Sequence, residues 1–149
     1  MKKVLIASDH AGLDGKEAIK KTLEQMGVVY EDLGTHTEDS VDYPDYAVRV
    51  ANAVARGDAD QGILVCGSGI GMEIAANKVP GIRAALVWNE ETARLSRSHN
   101  DANILAVGSR TSTPETIQQI VRTFLTTDFE GGRHQQRVEK IANLEKRTE

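Results

Sequence analysis

A chain of 149 residues is long enough for one domain with one proper core, and it is read as a single domain over residues 1–149. Hydrophobic residues make up 40%, charged residues 27%, and the net charge is −4, with lysines and arginines spread along the chain. That balance points to neither nucleic acid nor a membrane surface as a partner. The one cysteine excludes an internal disulfide and suits a reducing, cytoplasmic setting.

The opening stretch, MKKVLIASDH, places two lysines before apolar residues. The apolar run covers only Val4 to Ala7 before Asp9 arrives, too short for the core of a signal peptide. No later stretch approaches membrane-spanning length. Val4 to Ala7 reads as a buried strand, and DGKEAIKKTLEQMG as a helix stopped by Gly27. Val28 to Gly34 is a second strand, after which Pro44 opens a helix through YAVRVANAVARG. QGILVC is a third strand, and GIGMEIAANK a helix that ends before Pro80 and Gly81. IRAALVW is a fourth strand; Asn89 caps a helix reaching about Ser98, with Glu90 and Glu91 in its favourable first turn. NILAVGS is a fifth strand, and Thr113-Pro114-Glu115 starts another helix. After Gly131 and Gly132, a last helix carries Val138, Ile141 and Leu144 on one stripe.

Strands alternating with helices predict an α/β fold, a parallel sheet covered on both faces. The expected form is a Rossmann-like three-layer α/β/α domain with a five-stranded parallel sheet in the order 2-1-3-4-5, plus a C-terminal helix. Such a sheet has its switch point between the first and third strands, where ligands bind at the carboxyl ends. The segments leaving those two ends are Asp9-His10 and Cys66-Gly67-Ser68-Gly69.

The loop CGSGIG matches none of the common phosphate loops. A dinucleotide fingerprint needs a third glycine where Met72 stands, a P-loop needs a lysine where Ser68 stands, and a cysteine phosphatase needs an arginine at Met72. The four histidines, His10, His36, His99 and His134, show no close ligand pairing, so no metal is expected. What the loop offers is backbone: small residues let N–H groups face an anion at a helix start, where a thiol also ionises more readily. A tight turn beside one more buried cysteine is the plainer alternative. The polar Asp9-His10 at the neighbouring strand end favours function.

Arg133 and Arg137 lie four apart on the last helix, and with His134 and Arg110 they suit a phosphate; a solvated helix face is the plainer reading and narrowly preferred. His99-Asn100 should lie at the amino edge of the sheet, roughly 17–20 Å from the predicted crevice. His99 is therefore either a plain loop histidine or a contribution to a partner's site across a two-fold interface. Tyr43 beside Pro44 is either a crevice wall or a staple for its helix.

Taken together, SDHAG, DYPDYA, CGSGIGMEIAANK, GIRAA, SRSHNDANILAVGSR and EGGRHQQRVEKI resemble ribose-5-phosphate isomerase type B, a family that also includes galactose-6-phosphate isomerase subunits. The resemblance covers nearly the whole chain. It implies a Rossmann-like homodimer, sometimes paired into a tetramer, with an active site shared between subunits. It also implies interconversion of ribose 5-phosphate and ribulose 5-phosphate through an enediolate, with no metal or organic cofactor. By position, Cys66 resembles the base and His99 the ring-opening acid from the neighbouring subunit; members differ between Thr and Ser where Ser68 stands, and its hydroxyl is expected to hydrogen-bond a substrate hydroxyl or relay its proton in catalysis. Asp9, His10, Tyr43 and Asn100 match sugar contacts, and Gly67, Ser68, Gly69, Ile70 and Gly71 the anion hole. Arg110, Arg133 and Arg137, with His10, match the phosphate site. Some members use a glutamate from the loop's helix instead of the thiol; Met72 aligns with it here, with Glu73 next door. A hexose-6-phosphate isomerase and a non-catalytic sugar-phosphate-binding module are the alternative readings.

Overall fold

A computed structural model describes residues 2–146 of the chain. Five parallel strands form one sheet: β1 (Lys3–Ser8), β2 (Val29–Asp32), β3 (Gln61–Cys66), β4 (Ala84–Leu86) and β5 (Ile104–Gly108). Six α-helices alternate with and follow them: α1 (Leu13–Met26), α2 (Tyr43–Arg56), α3 (Ile70–Ala76), α4 (Glu90–Ser98), α5 (Pro114–Thr126) and α6 (Arg133–Leu144). A single 3-10 turn, His10–Gly12, links β1 to α1.

The local signals explain these boundaries. Gly27 and Gly57 close α1 and α2 in the left-handed conformation, and Asn89 and Thr113 cap α4 and α5 by accepting from the N–H groups of Thr92 and Thr116. β1, β3 and β5 are apolar on both faces and buried almost throughout, as a parallel sheet covered by helices requires. On one side Val4, Ile6, Ile63 and Val107 meet α1, α4 and α5 through Ile19, Ala93 and Phe124. On the other, Leu5, Ala7, Leu64 and Ala106 meet α2 and α3 through Val50 and Met72.

The strand order is β2-β1-β3-β5-β4, not the expected 2-1-3-4-5. Burial supplies the reason. Every residue of β5 is buried, whereas β4 has three residues, all only half-buried, and β2 alternates between exposed and half-buried. The long aliphatic strand takes an interior place with hydrogen bonds on both sides, and the two weaker strands take the edges. The exchange matters for the site, because Gly108 is now level with Cys66 on the adjacent strand.

Candidate active site

The carboxyl ends of β1, β3 and β5 open into a cleft of about 730 Å³. Asp9 and His10 line it from the end of β1, Cys66, Gly67 and Ser68 from the end of β3, and Arg110 and Thr111 from beyond β5. Tyr43 closes one side from the start of α2, and Ile70, Gly71 and Ile74 close another from α3.

Cys66 is 5% exposed, and it borders the cleft. Its Sγ accepts a hydrogen bond from the Gly69 N–H at 3.1 Å. That turn requires glycine: Gly69 has φ +80°, and a Cβ there would fall 2.9 Å from the carbonyl carbon of Val107. Ser68 Oγ accepts from the Ile70 N–H at 3.2 Å, which leaves the hydroxyl proton free to turn towards a ligand. Among the described residues, no protein group accepts from the N–H of Gly67, Ser68 or Gly71. The turn therefore presents unpaired amides beside a sulfur atom, an arrangement suited to negative charge.

The flanking groups are held from behind. The Ser109 and Arg110 N–H groups donate to the Cys66 and Gly67 carbonyls, both at 2.9 Å, so β5 delivers Arg110 to the loop. Asp9 Oδ1 accepts from the Gly12 N–H at 3.0 Å. The Val41 N–H donates to His10 Nδ1 at 3.1 Å; that contact assigns the proton to Nε2, which can then donate to a ligand. Tyr43 lies against Gly71, where an added Cβ would be 2.4 Å from the ring. Tyr43 is thus a wall of the cleft, and Gly71 makes the room for it.

The segment leading from β2 to Tyr43 is anchored by a buried charge. The Lys16 side chain is 1% exposed; Nζ meets Asp32 Oδ1 at 2.9 Å and donates to the Thr35 carbonyl. Burial by itself would raise the pKa of Asp32. Hydrogen bonds from Lys16, the Gly34 N–H and Lys20 outweigh it and hold the carboxyl below its ordinary value.

Five expected residues do not line this cleft, and one of them is Gly69, whose N–H is engaged by Cys66 Sγ. Asn100 lines a separate hollow of about 510 Å³ with Glu73, Arg83, Ile141 and Leu144. Glu73 is turned the same way, its Oε2 accepting from the Leu86 N–H at 2.5 Å. His99, Arg133 and Arg137 do not border the cleft either. The expectation that no histidines pair is corrected. The His99 and His134 rings stack with centroids 4.1 Å apart and planes 13° apart, because the connection after α5 returns α6 to the end of α4. Burial first, then the His99 ring and Arg133, lower the pKa of His134, while Glu130 opposes them. Thr111, Ala11 and Ile74 border the cleft without having been singled out. Thr111 was readable only with β5 beside β3, and the two apolar residues carry no chemical signal.

Comparison with known proteins gives one consistent answer. A family described as Ribose/Galactose Isomerase matches residues 4–141, a span that includes every part of the cleft. Ribose-5-phosphate isomerase B of Escherichia coli is 49% identical over 147 residues, covering 99% of each chain. The structure of ribose-5-phosphate isomerase B from Clostridium thermocellum superposes with a TM-score of 0.95 at 51% identity, covering 97% of each chain. That of ribose-5-phosphate isomerase B from Mycoplasma genitalium, with bound ribulose-5-phosphate, gives 0.94 at 47% identity, covering 98% of this chain and 97% of that one. No helix among the described residues is long and apolar enough to cross a membrane. With fold, loop and near full-length identity in agreement, the chain belongs to the ribose/galactose isomerase family.

Proposed function

We propose that this chain is an aldose–ketose isomerase that interconverts D-ribose 5-phosphate and D-ribulose 5-phosphate. The reaction moves a proton between adjacent carbons. A base must take a weakly acidic C–H proton, and the oxyanion formed must be met by donors already in place. The observation that carries the reading is Cys66 Sγ at the cleft surface, beside the turn of unpaired N–H groups. The Mycoplasma relative, with ribulose-5-phosphate bound, supports a five-carbon sugar phosphate.

In this mechanism Cys66 thiolate removes the proton from C2 of the open aldose and returns it to C1. The N–H groups of Gly67, Ser68 and Gly71 receive the enediolate oxygen; losing one such donor costs about 3–4 kcal/mol of transition-state stabilisation. Ser68 relays the hydroxyl proton: its free O–H gives a proton to O1 and takes the one on O2, so that return of the carbon proton to C1 leaves the carbonyl at C2. Asp9, His10 and Tyr43 orient the sugar hydroxyls, and Arg110 attracts the phosphate. Binding energy from that remote group holds the reacting carbons in place. No step calls for a metal or an organic cofactor.

His99, Asn100, Arg133 and Arg137 act in the cleft of a second copy, with His99 opening the furanose ring and the arginines closing on the phosphate. Ile70 and Ile74 beside the cleft, and Ile141 and Leu144 on α6, are exposed apolar side chains that a homodimer would cover. The test is turnover of ribose 5-phosphate against allose 6-phosphate and galactose 6-phosphate, in deuterated water. Turnover of the pentose with deuterium at the transferred position is expected. Preference for a hexose moves the chain to the six-carbon branch, and binding without turnover makes it a sensor.

A further inference from the structure

We propose that His99, Glu130 and His134 form a binding site for a zinc-class divalent cation, and that filling it inhibits the isomerase. The inhibitory half rests on the isomerase reading above. The three residues come from separate pieces of chain: the end of α4, the connection after α5, and the first turn of α6. One donor atom from each lies within 4.8 Å of the others. Glu130 Oε1 is 3.7 Å from His134 Nε2, and the Glu130 N–H donates to the Ser98 carbonyl at 3.0 Å, which ties the carboxylate to the residue before His99.

Two imidazoles and one carboxylate are the donor set of open zinc sites, which leave a coordination position for water or another ligand. Nitrogen donors select zinc, nickel or copper over magnesium and calcium, which prefer oxygen. Donors around a tetrahedral zinc lie about 3.3 Å apart, so the stacked rings must tilt and the carboxylate must swing inwards. His99 is half-buried and Glu130 exposed, so side-chain rotation suffices for both. Only His134 is fixed by burial, and it supplies the stationary ligand. Arg133 and Arg137 on the same helix oppose a cation, which makes the site weaker than a structural zinc site.

Two consequences follow from position. A cation held by His99 removes the imidazole that opens the sugar ring. It also links α4 to α6, a helix that otherwise buries only His134 and Val138. Binding to the folded state alone raises the melting temperature by mass action.

The experiment titrates zinc chloride into the full-length protein by calorimetry and follows cobalt by its visible spectrum. Both are repeated in Cys66→Ala, which removes the thiol as a competing ligand. Zinc should bind wild type and Cys66→Ala alike, raise both melting temperatures, and slow turnover of ribose 5-phosphate by wild type. Glu130→Gln should keep its metal-free turnover and lose about tenfold or more in zinc affinity; His134→Ala should lose binding. Equal affinity in Glu130→Gln and His134→Ala, or binding that disappears with Cys66, overturns the site. Binding at these residues without slower turnover overturns the inhibitory half and, with it, the role of His99. Failure of the isomerase reading registers separately, as metal-free protein that does not turn over ribose 5-phosphate while the binding measurements remain readable.

Discussion

Cys66 meets two opposed requirements at one position. It must be shielded enough to act as a base on a weak carbon acid, yet it must reach substrate. The end of β3 satisfies both, with the side chain packed among Leu64, Ala106 and their neighbours and its edge in the cleft. Cys66→Ala is expected to lower kcat by about 10²–10⁴-fold while circular dichroism and sugar-phosphate binding stay as in wild type. Glu73→Gln should retain most of its turnover, because Glu73 is engaged by the Leu86 N–H outside the cleft. The reverse ranking of the two variants would transfer the base to Glu73. The sequence favoured the thiol, with Met72 at the aligned glutamate position and Glu73 next to it. The direction of a side chain around α3 separated them: Met72 points into the core and Glu73 away from the cleft.

At the scale of elements, the exchange of β4 and β5 decides what surrounds the loop. Neighbouring strands lie about 4.8 Å apart. With β5 beside β3, Arg110 and Thr111 emerge one strand from Cys66; in the order 2-1-3-4-5 they would have emerged two strands away. Helix and strand boundaries were legible because caps, glycines and apolar runs act over a few residues. The order was not, because it depends on which strand can bury both edges. The Lys16–Asp32 pair is a second element-level device, holding the segment that leads to Tyr43 and presents the Val41 N–H to His10. Its dependence on pH follows from the direction of the Asp32 shift. A carboxyl held below its ordinary 3.8 contributes stability that is complete at neutral pH and is lost as pH falls below about 4. Asp32→Asn leaves a buried lysine without its counter-charge and is expected to cost about 3–5 kcal/mol at neutral pH. Urea midpoints measured from pH 7 to pH 3 should show that gap closing in acid. A constant gap would remove the carboxylate's charge from the explanation.

Over the whole molecule, the proposed chemistry is divided between two surfaces. The base, the amide turn and Arg110 share the cleft, while His99, Arg133 and Arg137 lie outside it. A second copy supplying the missing groups predicts that inactive Cys66→Ala and inactive His99→Ala subunits recover activity when mixed. Random pairing would restore one intact site in about half of the dimers. Mixed dimers verified by mass with no recovered turnover would return His99 to a surface role.

The sequence by itself determined the elements, the parallel sheet, the cleft at the ends of the first and third strands, and the residues at those ends. All of these follow from periodicity, capping and chain direction, which are local. Only the tertiary structure decided that β5 lies inside β4, that Tyr43 leans on Gly71, that Glu73 faces away from the thiol, and that His99 meets His134. Each of these is a contact between residues distant in the chain, chosen by which surfaces bury best together, and no short-range pattern encodes that choice.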